Sequence, residues 1–398
     1  MASVEGLPHV DDVLANDVLR ETLQLLRRVG HERISSLGET IERTQEFSPE
    51  LWRLLAELGI PSMAFAEKDG GGGGTYLTYV CAMEEIARAS ACAALYAGPT
   101  VQVASAITRY GTEAQRAAWG RPLMEGRALG AWAFTEPETG SDPRQIRTRA
   151  VRQGSSWVLD GGKMFISFAA HADVALVFAK TDDERLSAFL VDTANEGWQP
   201  GSPLGLMALG GMGTAPVAID SLRVPADSLL GEEGAGFEIL VDTEAEGKIR
   251  ASAICTGIAS RALEESVRYA SQRLHRGTPI GAKFPTVQSL LGGMAAQIEA
   301  ARALVRHAAH AVDRGDPQVK VLAAATRIVC ARVAREVTSD AMQVCGAYGF
   351  TKDMVVERLY REGKFYEVGQ GVIELQRIIV GKRHLADFAR TGAVRPQP

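Results

Sequence analysis

The stretch with the clearest chemical content is FYEVGQGVIELQR at residues 365–377, in which Gln370 stands between Gly369 and Gly371. A carboxamide donates and accepts hydrogen bonds but has no usable basicity. A carboxylate desolvated in a pocket has a raised pKa and can act as a general base. The side chain at position 370 is therefore suited to binding a substrate and not to deprotonating it.

Two other features could do chemistry, and both favour a structural interpretation. The segment DGGGGGTY (69–76) has five glycines but no Gly-Lys-Ser/Thr and no GxGxxG spacing, so we predict a flexible loop between helices. The cysteines form no CxxC pair, and none lies beside a histidine at metal spacing, so we predict buried, reduced thiols and no metal site. They are Cys81, Cys92, Cys255, Cys330 and Cys345.

Three zones of the chain must position these residues. Residues 14–126 show helical periodicity, and Ser48-Pro49-Glu50 supplies a cap and a first turn. Between 128 and 230, short β-rich runs such as ADVALVFAKT alternate with turn residues and predict a compact antiparallel β-domain. After Gly236, Ala-rich stretches at 284–305, 319–345 and 373–388 keep helical spacing.

This plan predicts an α+β fold of three domains. We place an N-terminal helical domain at 1–127, a central antiparallel β-domain at 128–233 and a C-terminal four-helix bundle at 234–398.

The composition is that of an ordinary globular protein. The chain has 398 residues, 46% hydrophobic and 23% charged, with a net charge of −5. An acidic chain has no basic footprint for nucleic acid or for an anionic membrane. The start MASVEGLPHVDDV lacks a signal-peptide pattern, and no run of 18 apolar residues occurs. We therefore predict a cytoplasmic protein with no nucleic-acid or membrane partner.

Four segments, in their order and spacing, resemble the acyl-CoA dehydrogenase family. They are FTEPETGSD (134–142), GGKMFIS (161–167), VPADSLLGEEGAGF (224–237), and the C-terminal half with YASQRLHRGTPI (269–280) and QVCGAYGF (343–350). The resemblance implies FAD held between the β-domain and the bundle, in a homotetramer or dimer. It implies an acyl thioester of CoA or of a carrier protein as substrate, converted to a trans-enoyl thioester. An electron-transferring flavoprotein or another acceptor would take the electrons.

The resemblance assigns the flavin contacts of the first signature. Thr135 would bind the pyrimidine edge of the isoalloxazine, and Trp132 and Phe134 flank it on the same strand. Ser141 would bind a phosphate or ribityl oxygen, and its neighbouring backbone would approach the thioester. Such contacts set the orientation and the electron affinity of a flavin.

The second signature would place an aromatic ring and a hydroxyl group at the flavin. Phe165 stands where a tryptophan is more usual in the family, and Ser167 would bond near N5. Without the resemblance, an ordinary β-strand with alternating faces would explain both residues equally well.

The pyrophosphate contacts are implied further along the chain. Arg273 matches the family's phosphate-binding arginine, which reaches across a subunit interface toward contacts matched by Gln343 and Gly346. Arg276 replaces an aromatic residue of the family pattern, and either a second phosphate contact or a rim charge would explain it. Val372 replaces a threonine that would touch the cofactor.

The departure with the greatest consequence is at the base. The family has a glutamate at the position of Gln370, although some members carry it on the helix after the hinge, where this chain has Gly247 and Lys248. Lys248 and Gly369 are implied as substrate contacts. Glu246 is a substitute base in principle, but neighbouring helical residues point about 100° apart, so we expect it to face away, as a solvent-facing charge.

Three explanations of Gln370 stay open. It is an engineered Glu-to-Gln substitution that traps substrate, a natural change in a subunit that binds without catalysing, or a sign of different flavin chemistry such as oxygenation. The first is favoured because GVIELQR keeps the surrounding helix pattern. A flavin-free binding protein is the non-enzymatic rival.

Overall fold

In the computed structural model, which describes residues 17–392, the N-terminal part of the chain is helical. The segment MASVEGLPHVDDV lies outside the described residues. The helices are α1 Asp17–Val29, α2 Ser35–Thr44, α3 Pro49–Glu57, α4 Tyr76–Ala89, α5 Ala91–Tyr110, α6 Glu113–Gln115 and α7 Arg121–Met124. Ser48 caps α3 as predicted, because its Oγ accepts a 3.1 Å hydrogen bond from the amide of Leu51.

The glycine-rich segment connects residues 62–67 to α4, as predicted for a loop between helices. A Cβ on Gly74 would lie 2.5 Å from the carbonyl oxygen of Met63, and one on Gly71 would collide with the backbone of Phe65. Close backbone packing therefore explains two of the five glycines. Thr75 then begins α4 by accepting a hydrogen bond from the amide of Thr78 at 3.1 Å.

The central domain is one sheet in the order β6-β7-β3-β2-β4-β5-β8, with β1 also paired to β4. The strands are β1 Gly130–Ala133, β2 Arg149–Gln153, β3 Ser156–Ile166, β4 Val174–Lys180, β5 Leu186–Asp192, β6 Trp198–Pro200, β7 Ala215–Pro225 and β8 Leu229–Leu230. Most pairs are antiparallel, which confirms the predicted domain, but β4 runs parallel to both β1 and β2. The pairing of β3 with β7 shifts register between Lys163 and Ile166.

The C-terminal part is a helical domain, as predicted. Its elements are α8 Gly236–Gln272, β9 Leu274–His275, β10 Thr278–Pro279, α9 Ile280–Lys283, α10 Pro285–Asp313, α11 Val319–Cys345, α12 Val355–Val368 and α13 Ile373–Thr391. A Cβ on Gly257 of α8 would collide with the carbonyl oxygen of Glu84, so α8 packs closely against α4. This contact ties the bundle to the N-terminal helices.

All five cysteines are buried and unbridged, as predicted. Among residues 17–392, no helix has both the length and the apolar character that a bilayer crossing requires.

Candidate active site

The turn between α12 and α13 presents Gln370 in an unusual backbone conformation. Gln370 has φ of +53° and Gly371 has φ of +87°. A left-handed conformation is uncommon for a residue with a side chain and clusters at functional sites. A Cβ on Gly371 would lie 2.7 Å from Nε2 of Gln376, and one on Gly369 would collide with the ring of Phe365. The positive φ favours glycine at position 371, and a side chain at either flanking position would displace a neighbouring side chain.

The turn carries unmet hydrogen-bonding capacity. Gln370 is half-buried, and its Oε1 is buried without a hydrogen-bond partner among the described residues. The side chain of Gln376, from the first turn of α13, is fully buried, and neither its Oε1 nor its Nε2 has a partner there. Buried polar atoms are paired in the great majority of cases, so two such amides, one on the turn and one packed against Gly371, indicate a site for a polar ligand group.

Arg327 supports the turn from α11. Its Nη2 donates a 2.7 Å hydrogen bond to the carbonyl oxygen of Gly369, and its guanidinium lies 5.5 Å from the ring centre of Tyr366. The side chain is completely buried, and Nε and Nη1 have no partner among the described residues. Burial lowers the pKa of Arg327. Sequence reasoning missed this residue, although an arginine within the apolar run AAATRIVCA of α11 was the available signal.

Lys248 of α8 approaches the same turn. Its Cε lies 3.6 Å from the position that a Cβ on Gly371 would occupy. The residue is half-buried. Burial lowers the pKa of Lys248, the charge of Glu244 opposes that effect, and the charge of Arg327 adds to it. The structure therefore brings Lys248 and Gly369, both expected from the resemblance to contact substrate, to one turn.

Glu244 lies one helical turn before Lys248 and shares its face of α8. Its Oε1 accepts a 3.1 Å hydrogen bond from Nε2 of Gln102 on α5. Arg250 is buried on the same helix, and its Nη2 lies 3.5 Å from Oε1 of Gln102. Gln102 therefore links a carboxylate and a cation beneath the turn, and sequence reasoning gave it no role.

Glu246 does not belong to this cluster. Its carboxylate forms an ion pair with Arg109 and accepts a 2.9 Å hydrogen bond from Ser105 Oγ. It lines a separate cavity of about 230 Å³ together with Tyr76 and Asp313. The expectation of a solvent-facing charge was wrong, since only 14% of its side chain is exposed. The ion pair with Arg109 weighs against Glu246 as a substitute base.

The Thr135 segment of the β-domain is held by a buried ion pair. Nζ of Lys163 lies 2.8 Å from Oε1 of Glu136, and both side chains are sealed from solvent. Glu136 also accepts hydrogen bonds from the amides of Arg147 and Thr148 at 2.6 and 3.0 Å. Burial would raise the pKa of Glu136, but the charge and hydrogen bond of Lys163 lower it overall. Sequence reasoning gave these two residues no role, although both lie in the quoted motifs.

Strand β3, which carries Lys163, also exposes an aromatic ring. Phe165 lies in the irregular part of β3, with φ of +59° and 58% of its surface exposed, so a regular alternating strand does not describe it. On β1, the ring centres of Trp132 and Phe134 lie 5.0 and 5.9 Å from that of Phe178. The indole Nε1 of Trp132 is buried without a partner among the described residues. An open aromatic face and an orphaned donor fit a flat, polar cofactor such as a flavin.

The other three residues expected to contact the flavin, which are Thr135, Ser141 and Ser167, differ in how firmly the structure holds and covers them. The carbonyl oxygen of Thr135 accepts a 2.8 Å hydrogen bond from the amide of Met164, which joins the first signature to the second. Ser167 is half-buried, whereas Ser141 is exposed. Of these residues, Thr135 is the one whose backbone is fixed by the sheet.

The expected pyrophosphate residues lie on the outside of the chain. Arg273 is exposed, and its guanidinium lies 5.9 Å from the ring centre of Tyr348. Gln343 and Gly346, at the end of α11, are exposed as well. Arg276 is exposed and has φ of +51°. The chain therefore presents these cationic and polar groups on its surface, where a partner or a phosphate could reach them.

The chain matches three family models along most of its length. They are the N-terminal domain of acyl-CoA dehydrogenase at residues 16–127, the middle domain at 131–222 and the C-terminal domain at 234–385. A probable acyl-CoA dehydrogenase of Bacillus subtilis, YngJ, is 33% identical, with 91% of this chain and 96% of that protein covered.

Two solved structures show the same fold. Butyryl-CoA dehydrogenase from Megasphaera elsdenii aligns with a TM-score of 0.90 at 34% identity, covering 93% of this chain and 98% of that one. A glutaryl-CoA dehydrogenase from Mycobacterium smegmatis, solved in complex with FADH2, aligns with a TM-score of 0.87 at 24% identity, covering 98% of both chains. The chain therefore belongs to the acyl-CoA dehydrogenase family.

Proposed function

We propose that this protein binds FAD and oxidises an acyl thioester of CoA or of a carrier protein to the trans-enoyl thioester, with Gln370 taking no proton. The observation that carries the proposal is the turn at Gln370. Gln370 has a left-handed backbone conformation between two glycines, and its buried side-chain oxygen has no partner among the described residues. Backbone conformations of this kind cluster at active sites and ligand-binding sites.

FAD would be held by the two signature segments of the β-domain. The exposed ring of Phe165 offers a face, the orphaned Nε1 of Trp132 offers a donor, and the amide of Met164 fixes the Thr135 carbonyl next to the buried Lys163–Glu136 pair. The relative solved with FADH2 supports the same cofactor. When bound, the flavin supplies the acceptor for the hydride that leaves the β-carbon.

This chain's own residues bind and orient the thioester. We infer that the amide of Gln370 donates and accepts hydrogen bonds at the reacting end of the acyl chain, and that Arg327 fixes the turn through Gly369. Gln370 has the shape of a glutamate without its basicity, so it keeps the binding role and gives up proton abstraction.

We also propose a homo-oligomer. α13 exposes Ile378, Leu385 and Phe388, with 50%, 74% and 56% of their surfaces accessible. Seven residues span close to two turns, so Ile378 and Leu385 lie nearly in line along the helix, and Phe388 lies about 80° around it from Ile378. An exposed apolar set of this kind supports a dimer or tetramer, in which the exposed Arg273 would bind phosphate as the family resemblance implies.

A second candidate function rests on a specific observation. The described turn contains no carboxylate, so a subunit that binds thioesters without oxidising them would have the same geometry. An experiment with purified protein separates the two candidates. We expect a yellow flavoprotein whose visible spectrum shifts on addition of acyl-CoA thioesters and that forms enoyl thioester with an artificial electron acceptor.

The outcomes of that experiment are distinct. A spectral shift without any enoyl product would favour the binding subunit. A colourless protein that neither takes up FAD nor responds to thioesters would contradict the proposed function.

A further inference from the structure

We propose that Lys248 is the general base that takes the α-proton of the thioester, in place of a carboxylate at position 370. The inference rests on the proposed function, because it needs a thioester at the Gln370 turn. It assigns a catalytic role to an amine that the resemblance implies only as a substrate contact.

The first step of the argument is proximity. The Cε of Lys248 lies 3.6 Å from the position of a Cβ on Gly371, the residue that follows Gln370. The amine therefore belongs to the same small region as the amide at the base position. Glu246, the other candidate on this helix, is held in its own cavity by Arg109.

The second step is the absence of a partner for this amine. Within residues 17–392, Nζ of Lys248 makes no hydrogen bond and no ion pair at salt-bridge distance. Lys163, which is fully buried, is by contrast paired with Glu136 at 2.8 Å. An unpaired, half-buried amine beside a ligand-binding turn is available for chemistry.

The third step is the set of groups that face the amine. Arg327, from α11, repels a second positive charge, whereas Glu244, on the helix of Lys248 itself, attracts one. Gln376 of α13 and Gln102 of α5 are the uncharged neighbours of this region. Burial and the charge of Arg327 both favour the neutral amine, and the carboxylate of Glu244 accepts a hydrogen bond from Gln102 and forms no ion pair with Lys248 among the described residues.

The reaction balances with this base. The C–H bond at the α-carbon breaks, its proton bonds to Nζ of neutral Lys248, and its electron pair forms the α,β double bond. A bound FAD would supply the acceptor for the hydride from the β-carbon, so the acyl chain would lose two electrons and the FAD would gain them. Lys248 is half-buried and not sealed, so the resulting ammonium can return its proton to solvent.

Lys248 could instead act as a fixed positive charge that binds an anionic part of the substrate. A guanidinium can replace the amine of Lys248 as a fixed positive charge but not as a general base. Arginine keeps the charge but cannot be deprotonated in proteins, so Lys248→Arg should preserve an anion-binding role and abolish a base role. Lys248→Gln should abolish both.

The test measures the exchange of deuterium into C2 of a saturated acyl-CoA in D2O, on the FAD-bound protein and without an electron acceptor. The probes are butyryl-CoA and the thioester, from a panel of straight, branched and aryl acyl-CoAs, that most perturbs the flavin spectrum. We expect Lys248→Arg and Lys248→Gln each to slow exchange by about 10²–10⁴-fold, the usual contribution of a positioned base. Lys364→Arg, on an exposed lysine that pairs with Glu367, is the matched control.

A second readout does not depend on turnover. Competitive labelling of lysines with acetic anhydride across pH, read by mass spectrometry, should show Lys248 reacting as a neutral amine at lower pH than Lys364. If Lys248→Arg exchanges deuterium into C2 as fast as the unchanged protein, the inference is wrong. The proposed function still stands in that case, provided that thioesters perturb the flavin spectrum. If no thioester perturbs the flavin, the proposed function fails, and this inference with it.

Discussion

Nη2 of Arg327 donates a 2.7 Å hydrogen bond to the carbonyl oxygen of Gly369, the residue immediately before Gln370. A buried guanidinium of the bundle core therefore fixes the backbone that presents the amide. The same charge faces Lys248 and adds to the effect of burial on its pKa. One side chain thus controls both the shape of the turn and the electrostatics of its neighbouring amine.

Removing Arg327 should loosen the turn. Arg327→Met leaves the Gly369 carbonyl without its donor, and we expect a loss of about 1–3 kcal/mol in the free energy of unfolding. Thioester binding should weaken as well, because the turn is no longer fixed. Urea unfolding and a titration followed by the flavin spectrum measure the two effects. Arg332→Met, an exposed arginine of the same helix, is the control and should change neither.

Restoring a carboxylate at position 370 should move activity to lower pH. In Gln370→Glu, the new base is deprotonated at pH values where the amine of Lys248 still carries its proton. We therefore expect enoyl-thioester formation to rise most on the acid side of the profile. A rate profile across pH with an artificial acceptor measures it. No gain at any pH would contradict the assignment of position 370 as a base position.

Neutralising Glu244 should lower the pKa of Lys248, whereas removing the charge of Arg327 should raise it. The charge of Glu244 raises the pKa of Lys248, so Glu244→Gln should lower that pKa. A larger fraction of the amine is then neutral at a given pH, and the acid limb of the rate profile should move to lower pH. Glu246→Gln, two residues away and paired with Arg109, is the matched control. An acid limb that stays in place in Glu244→Gln would count against Lys248 as the titrating base.

The buried pair in the β-domain should dominate the stability of the flavin segment. Lys163→Met leaves the carboxylate of Glu136 without its ion-pair partner among sealed side chains, and we expect a loss of about 3–5 kcal/mol. The Thr135 backbone should then lose its fixed position, and FAD should dissociate more readily. Urea unfolding and the retention of yellow colour on gel filtration check both effects. Unchanged stability would show that Glu136 finds another partner.

The sequence predicted the elements of the fold because their patterns are local. The period of the apolar residues predicts α10, α11 and α13, and a serine followed by proline predicts the start of α3. The parallel pairing of β4 with β1 and β2 was missed, since strand order depends on contacts far apart in sequence. Tertiary contacts of that kind leave no periodic pattern.

The candidate site was predicted in part for the same reason. Gln370 stood out through its flanking glycines and its resemblance to a catalytic segment. The arginine within the apolar run of α11 was a signal for Arg327, but the contacts of Arg327 and Gln102 near the turn were not predictable, because each lies on a helix far from position 370 in the sequence. Glu246 was considered because it lies near the matched position, but the helix turns its carboxylate toward Arg109. The engineered origin of Gln370 stays a prediction.

The most direct test of the account is a crystal structure of the protein with FAD and a non-reactive acyl-CoA analogue. We predict that C2 of the acyl chain lies next to the amide of Gln370. We also predict that Nζ of Lys248 lies within hydrogen-bond reach of the proton on C2, directly or through one water. An analogue bound with C2 remote from both side chains, or an amine of Lys248 turned away toward Glu244, would contradict it.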